Sequence, residues 1–553
     1  MGAVCPNPVT YFPEELPSGH CALMPAKPDL IVCESAGEYV PRNPEKTVLY
    51  NVVVRYLETF LARQRERDKV VPHFVEQELR AFLDCGVLAR GFLRVHCDAC
   101  GLDRLVPYSC KKRGFCPSCG GRRMADTAAH LVDRVFPEVP VRQWVLSVPY
   151  ALRCRLAYDS SLVRDVLQIF VRTIFASIRR RAGIPASNRQ ARCGAVAFIQ
   201  RFSDALNLDP HFHLLVLDGL YVMNGQDEPA FRRVSPPTDK EVAQVAERVH
   251  RRVARLMEIR DLGPQADPDE ADGLRRDQPL LAELYSASVA GRVAMGRRAG
   301  MRIARVGDEV DPEDGALPSG ACCAAVAGFS VHAGVRVPAR DRLRLERLAR
   351  YAGRPPLATE RLSLLPDGRL LYRLKRCWRD GTTRVIYEPL ELMERLAALV
   401  HPPRFNITRF YGIFAPAASL RPRVTPETEV SSPPRHPGCQ SAVEAEVTNP
   451  GKLAGFGVAD THQGDKVKVT YMGRDGTREK FEAPATDPGK NKKKRGCQPR
   501  NYQWATLMER VFDQSTNCMS RRRDDFAYPD YAPLSPPIRT RDRLRRAADR
   551  MGR

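Results

Sequence analysis

Long apolar runs are missing from this chain of 553 residues. None reaches the roughly 18 consecutive residues that a membrane-spanning helix needs, so no transmembrane segment is predicted. The first residues also lack the charged and then apolar stretch of a secretory signal. We find no internal repeat. The sequence therefore predicts a protein of the cytoplasm that has no membrane partner.

Acidic residues are the scarcer charged class. There are 65 Asp and Glu against 87 Lys and Arg, which gives a net charge of +22 and a pI near 9.5. Basic runs at 490–495 and 521–523 supply part of the excess, and the remaining arginines are spread along the chain. Such a charge favours a polyanion, most often nucleic acid. DNA or RNA is the expected partner, with a merely basic tail as the alternative.

The 17 cysteines are an odd number, and several lie at metal-ligand spacing rather than in a disulfide framework. Cys97-Asp-Ala-Cys100 and Cys116-Pro-Ser-Cys119 are two knuckles with fifteen residues between them, which is a zinc-site spacing. Four thiolates complete a tetrahedral Zn²⁺ site, so the two knuckles predict a structural zinc. Reduced, unliganded thiols are the alternative. Cys110 is expected to be a bystander, although it could replace one ligand.

Basic residues crowd this cysteine module. They suit a surface that contacts the phosphate backbone of DNA, and an ordinary solvated rim is the alternative. The residues concerned are Lys111, Lys112, Arg113, Arg122 and Arg123.

The run at 207–219 reads Asn-Leu-Asp-Pro-His-Phe-His-Leu-Leu-Val-Leu-Asp-Gly and predicts a strand. Residues two apart point to one face of a strand, so His211 and His213 would project side by side as half of a metal site. Surface histidines on an edge strand are the alternative. A His pair does not choose its metal, and an amide or acidic third ligand would suit Mg²⁺ or Mn²⁺. Gln200 on the preceding strand and His332 are candidates, and each could instead pack or cap.

Tyr351 ends an Arg-rich helix predicted at 340–352, and Arg350 and Arg354 flank it. A phenol is a weak nucleophile at its ordinary pKa near 10, and guanidiniums and a metal on a phosphate would both assist it. Tyr351 is therefore a candidate nucleophile. The alternative is a core tyrosine, because it lies three residues after Leu348 on the apolar face of the helix.

Apolar periodicity predicts the other elements. Helices are predicted at 47–67, 72–85, 122–136, 160–180, 239–262 and 388–399, and strands at 92–96, 103–108, 143–148, 194–202, 211–221, 328–337, 362–365, 369–378 and 383–387.

These motifs together resemble the rolling-circle (HUH-type) transposases of the insertion sequence 91 (IS91) family, in particular its common-region (ISCR) branch. The resemblance covers roughly 45–420. It rests on the order of a double-CxxC module, a His-hydrophobic-His strand and an Ala-Arg-Tyr helix. The matching segments are Phe115–Met124, Phe198–Phe202, Asn207–Tyr221 and Arg350–Leu362.

The resemblance implies an α+β fold with an HUH-endonuclease-like central antiparallel sheet and flanking helices, an N-terminal zinc-ribbon-like module and a largely disordered C-terminal tail. It implies that His211 and His213 hold a divalent metal, and that Tyr351 attacks single-stranded DNA at element ends. A 5′-phosphotyrosyl link and a free 3′-OH would result, and strand transfer at a target would reverse the step. Action would be at the bacterial nucleoid.

The domain boundaries follow from the same reading. We expect a flexible leader at 1–45, a helical and zinc-binding DNA-contact domain at 46–136, the HUH domain at 137–360 with an insertion at about 225–290, a β-meander plus helix at 361–420 that completes the catalytic region, and a mostly disordered basic tail at 421–553.

The chain departs from the family pattern at two places. The founding branch carries Tyr-x-x-x-Tyr, whereas Arg347 stands four residues before Tyr351, as in the single-tyrosine branch. Relatives often carry a further CxxC knuckle near the C-terminus, whereas this chain has Cys518 alone there, which suggests an altered end and makes cleavage more secure than full transposition. Two other readings stay open: a rolling-circle replication initiator, and a decayed, non-catalytic zinc-dependent DNA-binding protein.

Overall fold

The computed structural model describes residues 43–97, 103–185, 188, 190–224, 228–262, 273–307, 321–378, 380–426, 467–472 and 478–482. For residues 95–97, 103–104 and the last two segments it describes the backbone alone. The predicted leader at 1–45 lies almost wholly outside these residues, and so does most of the predicted tail.

Helices and strands alternate along the described residues. The helices are α1 (Val48–Arg65), α2 (His73–Asp84), α3 (Pro117–Arg134), α4 (Tyr150–Tyr158), α5 (Ser160–Arg181), α6 (Asp239–Ile259), α7 (Gly273–Asp277), α8 (Pro279–Val289), α9 (Arg342–Ala352), α10 (Pro389–Leu399) and α11 (Arg421–Val424). The strands are β1 (Phe92–Cys97), β2 (Asp103–Pro107), β3 (Val141–Ser147), β4 (Gly194–Phe202), β5 (Leu208–Leu217), β6 (Gly219–Met223), β7 (Pro229–Arg233), β8 (Ala304–Gly307), β9 (Cys323–Val326), β10 (Phe329–His332), β11 (Arg336–Val337), β12 (Leu362–Leu364), β13 (Leu370–Arg373), β14 (Thr382–Tyr387), β15 (Thr408–Gly412), β16 (Val467–Met472) and β17 (Arg478–Glu482). Mixed helix and antiparallel sheet is what the sequence predicts.

The central sheet has the strand order β15-β4-β5-β3-β10-β9, and β11 also pairs with β3. Every pairing is antiparallel. Because side chains alternate along a strand, the sheet has two different faces. On one face Phe212, Leu214 and Val216 of β5 pack in an apolar cluster with α5 and α6.

The opposite face of the sheet carries His211 and His213. Beyond the histidines, Leu215 and Leu217 of β5 and Phe198 of β4 form a second cluster with α3 and α9. The helix α9 thus lies over the histidine face. Its N-terminus is capped by Asp341, whose side chain accepts a hydrogen bond from Arg344 N at 3.0 Å.

The remaining elements form a third cluster with the start of the chain. It joins α1 and α2 to α8, α10 and the antiparallel sheet β12-β13-β14-β8. The predicted meander and its closing helix are confirmed in this part. A four-stranded antiparallel sheet, β17-β16-β1-β2, carries the predicted hairpin of the cysteine module together with two strands from beyond residue 426.

Several elements escape the sequence patterns, and for three of them the reason is identifiable. The helix α8 is buried on nearly all sides, so it has no polar stripe to reveal its period. The helix α4 is short and alternates charged and apolar residues without helical spacing. The strand β15 is a five-residue edge strand of half-buried residues. Within the described residues no helix is long and apolar enough to cross a membrane.

A buried ion pair ties the central sheet together at the end remote from the histidines. Arg142 on β3 donates to both carboxylate oxygens of Asp218, at 3.0 and 2.9 Å, and to the Ala333 carbonyl at 2.8 Å. Both side chains of the pair are 4% exposed, and Arg336 approaches the same carboxylate at 3.3 Å. A bidentate pair of this kind is strong when both partners are present.

Replacing Asp218 by Asn should destabilise the protein, because Arg142 would stay buried without its counter-charge. We expect the unfolding free energy to fall by roughly 3–5 kcal/mol, seen as a thermal midpoint several degrees lower. Asp277→Asn is the matched control, since its ion pair with Arg276 is exposed and should contribute little. Equal midpoints for the two variants would contradict a structural role for the buried pair.

Candidate active site and metal centre

The site begins with a β-bulge between β4 and β5. Gln200 lies opposite His211 and Phe202 opposite Leu208, so two residues of β5, the dipeptide at 209–210, face Arg201 alone. A bulge interrupts the hydrogen-bond ladder and redirects nearby groups. Here the carbonyl of Asp209 bonds to the imidazole of His211 instead of extending the ladder.

His211 and His213 do lie side by side, with ring centroids 5.0 Å apart. His211 Nδ1 lies 2.7 Å from the Asp209 carbonyl oxygen. Because a carbonyl can only accept, neutral His211 carries its proton on Nδ1 and keeps the Nε2 lone pair for a metal.

His213 is buried and has a partner that holds its ring. Its Nδ1 lies 2.8 Å from the amide nitrogen of Gln143 on β3. An amide turned by 180° would place its oxygen there, accept the proton of Nδ1 and leave the Nε2 lone pair for a metal. Nε2 has no hydrogen-bond partner among the described residues. Burial lowers the pKa of His213 well below its usual range, and the neighbouring His211 lowers it further. Burial also lowers the pKa of His211. Both rings are therefore neutral near pH 7, as metal ligands must be.

The two candidates for a third ligand lie at different distances across the sheet. Gln200 lies directly opposite His211, where Cβ atoms are about 5 Å apart. His332 and His213 both pair with Val145, from opposite sides of β3. Their backbones are therefore two strand spacings, about 10 Å, apart. Gln200 Oε1 is buried and has no hydrogen-bond partner in the described part of the chain. Burial lowers the pKa of His332 to about 4.

Tyr351 lies over the histidine pair, although 138 residues separate it from His213 in the sequence. Its ring centroid is 5.8 Å from that of His213, edge to face. The amide of Gln200 sets this position, because its Nε2 donates to the carbonyls of Tyr351 at 3.1 Å and Ala352 at 2.7 Å. These are carbonyls at the end of a helix, which need donors from outside it. Tyr351 belongs to none of the apolar clusters, whereas Leu348 does.

Two cations flank the ring of Tyr351. The Arg354 guanidinium lies 4.3 Å and the Lys375 ammonium 4.4 Å from the ring centroid. Arg354 also donates to the Tyr351 carbonyl at 3.1 Å. Burial against the protein lowers the pKa of Lys375 to about 8, and the positive charge of Arg354 contributes. The site thus combines a phenol, two positive charges and two neutral imidazoles.

The structure also brings together four thiols, of which two form the second knuckle and two lie outside both knuckles. Within the described residues Cys85, Cys110, Cys116 and Cys119 have sulfur atoms that all lie within 4.8 Å of one another. Sγ of Cys119 lies 3.4 Å from that of Cys110 and 3.6 Å from that of Cys85, and the sulfurs of Cys85 and Cys116 are 3.7 Å apart. A tetrahedral Zn²⁺ with Zn–S bonds of 2.3 Å requires about 3.8 Å. The four sulfurs therefore fit zinc without a further ligand.

Local structure explains why these thiols meet. Cys85 ends α2 and Cys116 caps the start of α3, whose first helical residue is proline. Hydrogen bonds from Gly86 N to the Tyr108 carbonyl, 2.8 Å, and from Tyr108 N to the Gly91 carbonyl, 3.1 Å, hold the base of the hairpin beside α2. Hydrogen bonding, first from Cys110, lowers the pKa of the Cys119 thiol below its usual range.

The predicted ligand pair Cys97 and Cys100 stays a prediction, whereas the expectation for Cys110 changes. Cys97 ends β1, and at about 3.3 Å per residue its backbone lies about 17 Å along the strand from Phe92. Cys110, by contrast, follows directly on the base of the hairpin. Cys110 is thus a member of the cluster and not a bystander. The side chain of Cys97 and the whole of Cys100 lie outside the described residues.

The cysteine module packs against the loop that follows Tyr351. A Cβ on Gly120 would lie 2.6 Å from Cβ of Pro355, and one on Gly114 would lie 3.1 Å from Cα of Val400. Neither position can carry a larger side chain without a shift. The thiol cluster and the tyrosine site are therefore joined by direct contact.

The predicted DNA-contact residues differ in the contacts that they make within the protein. Arg123 donates to the carbonyls of Lys111 at 3.2 Å and Lys112 at 3.3 Å, and Lys112 Nζ bonds to Gln77 at 2.9 Å. Arg350 is largely buried and is paired at 2.7 Å with Glu346 of its own helix. Arg113 approaches the Phe405 carbonyl at 3.4 Å, and burial lowers the pKa of Arg122.

Sequence reasoning missed Gln143, Lys375, Cys85 and the buried Arg201. One signal was available for Gln143, which is a polar residue two before Val145 in an apolar strand and so on the histidine face. Cys85 and Lys375 come from distant segments, and no local pattern marks them.

Comparison with known protein families gives two adjacent matches. Residues 53–148, which contain the four clustered thiols, match the family described as "Transposase zinc-binding domain", of the IS91 type. Residues 194–421, which contain Gln200, the histidine pair and Tyr351, match the family described as "Putative transposase". Comparison with curated proteins found no match, and neither did comparison with solved structures. The two matched segments together span more than half of the chain. The chain is therefore a transposase of the IS91 family.

Proposed function

We propose that this transposase nicks and rejoins single-stranded DNA at the ends of its element, with Tyr351 as the nucleophile and a divalent cation bound by His211 and His213. The observation that carries the proposal is the contact between a tyrosine and a metal-type histidine pair. The ring of Tyr351 lies 5.8 Å from that of His213, and both are held by hydrogen-bonded glutamines.

The donor set suits Mg²⁺ or Mn²⁺. Two neutral imidazoles with free Nε2 lone pairs and the Gln200 amide oxygen would hold the ion. The register favours Gln200 over His332 as the third ligand. When bound, the ion would polarise the scissile phosphate as a Lewis acid.

The residues of the chain carry the reaction. The Tyr351 oxygen attacks the scissile phosphorus, and the bond from phosphorus to the 3′-oxygen breaks. A 5′-phosphotyrosyl link results, and the released 3′-oxygen takes a proton from water to become a 3′-hydroxyl. Neutral Lys375 takes the phenol proton. Arg354 offers positive charge to the phosphate oxygens. Attack by a 3′-hydroxyl on the phosphotyrosine reverses these steps and joins the strand, so no nucleotide hydrolysis is needed.

The single nucleophile has a consequence for the branch of the family. Arg347 lies four residues before Tyr351 and is exposed. A single tyrosine on α9 is what the ISCR branch has. It excludes a mechanism in which two tyrosines of that helix attack in turn.

A structural zinc bound by Cys85, Cys110, Cys116 and Cys119 completes the proposal. Four thiolates leave no open position, so this ion would take no part in the chemistry. It would fix the start of α3 and the basic loop at 110–113. That loop carries Lys111, Lys112 and Arg113, which, with Arg122 and Arg123, we propose to contact the DNA backbone.

Tyr351→Phe should abolish covalent capture of DNA and leave its affinity nearly unchanged, because the ring and its contacts remain. The measurement is a denaturing gel of protein mixed with single-stranded oligonucleotides from the DNA flanking its gene, with and without Mg²⁺. Tyr150→Phe is the control, since Tyr150 is 41% exposed on α4 and lies outside the site. A full adduct in the Tyr351 variant would move the nucleophile elsewhere. Native binding with no adduct in the unaltered protein would support the DNA-binding-only reading.

Cys116→Ser should release zinc, because it removes one of four ligands from a buried cluster. We expect zinc content, measured by atomic absorption, to fall from about one ion per chain to nearly none, and DNA affinity to weaken. Cys377→Ser is the control, since Cys377 is exposed and away from the cluster. Zinc retained by Cys116→Ser but lost by Cys97→Ser would return the site to the paired knuckles.

Lys375 gives the reaction a pH dependence. Its neutral form accepts the proton, so the rate of adduct formation should rise with pH and level off above the pKa of about 8. Lys375→Arg keeps the charge but cannot accept a proton, and should slow the reaction by roughly 10²-fold or more. If the arginine variant keeps the full rate, Lys375 acts through its charge alone.

A further inference from the structure

Among the residues that the structure describes, no carboxylate pairs with the buried guanidinium of Arg201. It is 1% exposed, and its hydrogen bond of 3.1 Å goes to the Val400 carbonyl. Its Nε and Nη2 atoms are buried and have no hydrogen-bond partner within the described part of the chain. The rings of Tyr285 and Phe405 flank it at 5.5 and 5.7 Å.

This arrangement is unfavourable unless an anion completes it. Arginine is almost never fully buried unless it is paired. Removing a charge from water costs free energy that a carbonyl and two rings only partly return. Arg142, by comparison, is equally buried but has Asp218 as its bidentate partner. For Arg201 no carboxylate of the described residues supplies the counter-charge, which leaves room for a ligand.

A pocket that could hold such an anion lies beside Arg201. Arg201 lines it together with Arg113, Arg123 and Arg354, and no Asp or Glu is among its lining residues. One wall is the cysteine module, through Gly114 and other residues of its loop and helix. The other wall is the end of β4 and the loop after α9.

His401 indicates how strongly the positive charges converge there. It lines the same pocket, and its Nδ1 is buried without a hydrogen-bond partner among the described residues. Burial lowers its pKa well below the usual range, and Arg201, Arg113 and Arg123 lower it further. Glu78 lies behind Gly114 and accepts a hydrogen bond from its N–H at 2.6 Å. Burial raises the pKa of Glu78, and the nearby charges of Lys112 and Arg123 oppose that shift.

We propose that this pocket binds a phosphate of the DNA backbone next to the scissile one, with Arg201 as its deepest contact and Arg113 and Arg123 at its rim. Guanidiniums match the geometry of phosphate oxygens and hold such groups firmly in buried sites. Arg354 links the two places, because it lines the pocket and also lies 4.3 Å from the Tyr351 ring centroid. The proposal rests on the proposed function, since it names a second phosphate of the same strand.

A held neighbouring phosphate would fix the register of the strand at Tyr351. Phosphate contacts position a nucleic acid without reading its bases. Because one wall of the pocket belongs to the cysteine module, the pocket is complete only when that module is seated. Arg113 and Arg123 would then couple the binding of the DNA strand to the zinc-dependent folding of the cysteine module.

The test replaces phosphates of a single-stranded oligonucleotide, one at a time, by neutral methylphosphonates. Affinity is measured by fluorescence anisotropy at one fixed low salt concentration. For the unaltered protein we expect a loss of about tenfold or more at one position other than the cleaved one, as for a lost charge-assisted hydrogen bond. Arg201→Gln should bind all oligonucleotides more weakly and lose the sensitivity at that position alone. Arg172→Gln, an exposed arginine on α5 behind the sheet, should behave like the unaltered protein.

Because Arg201 is buried, its replacement can disturb folding, and a second variant at a less buried position is therefore included. Arg123→Gln lies at the rim and should lose the same sensitivity while keeping the circular dichroism spectrum and zinc content. Sensitivity that stays at every position in both variants would overturn the proposal. Inorganic phosphate, added at matched ionic strength, tests the other source. If it raises the melting temperature and no oligonucleotide position couples to Arg123, the pocket binds the free ion and the DNA assignment is wrong.

The measurement separates this proposal from the chemistry at Tyr351. Coupling to Arg123 without any covalent adduct would keep the phosphate pocket and reject the nicking reaction. An adduct at Tyr351 without coupling would do the opposite.

Discussion

The pairing of β4 with β5, and the bulge that interrupts it, determines most of this site. The bulge places Asp209 and Pro210 opposite Arg201. On its near side, Gln200 and His211 face each other across the ladder. On its far side, the chain turns back through a tight connection. A slip of one residue would turn every side chain of β5 to the other face and bury the histidines against α5 and α6. The apolar alternation of Phe212, Leu214 and Val216 opposes such a slip.

Gln200 shows how a strand and a helix can be fixed to each other by one amide. Its nitrogen closes the end of α9, and its oxygen faces the histidine side of the sheet without a protein partner in the described residues. The tyrosine and the proposed metal site are thereby positioned by the same side chain. Because the amide cannot rotate without losing the helix carbonyls, the tyrosine backbone cannot drift relative to the histidines.

Much of this arrangement could be predicted from local sequence. The two-residue period placed His211 and His213 on one face, and the short link between 202 and 208 made an antiparallel pair with Gln200 nearby. The position of Tyr351 was harder to predict. A tyrosine three residues after a core leucine can point into the apolar core or towards the histidines, and only the packing of α9 on the sheet determines which. Cys85 could not be predicted, since it meets Cys116 through the fold of α2 against the hairpin. The same holds for Lys375, which comes to Tyr351 from a separate sheet. Spacing within a motif identifies a ligand class, whereas tertiary packing chooses its members.

The contact between Gly120 and Pro355 limits how this protein could be rebuilt. The first turn of α3 lies so close to the loop after α9 that a methyl group would collide with the proline ring. A cysteine module taken from another protein would therefore seat correctly only if its helix offered a bare backbone at this point. Exchange of the cysteine module is thus constrained at Gly120, where only a hydrogen atom fits in place of a side chain. Matching the ligands of the metal would not be enough.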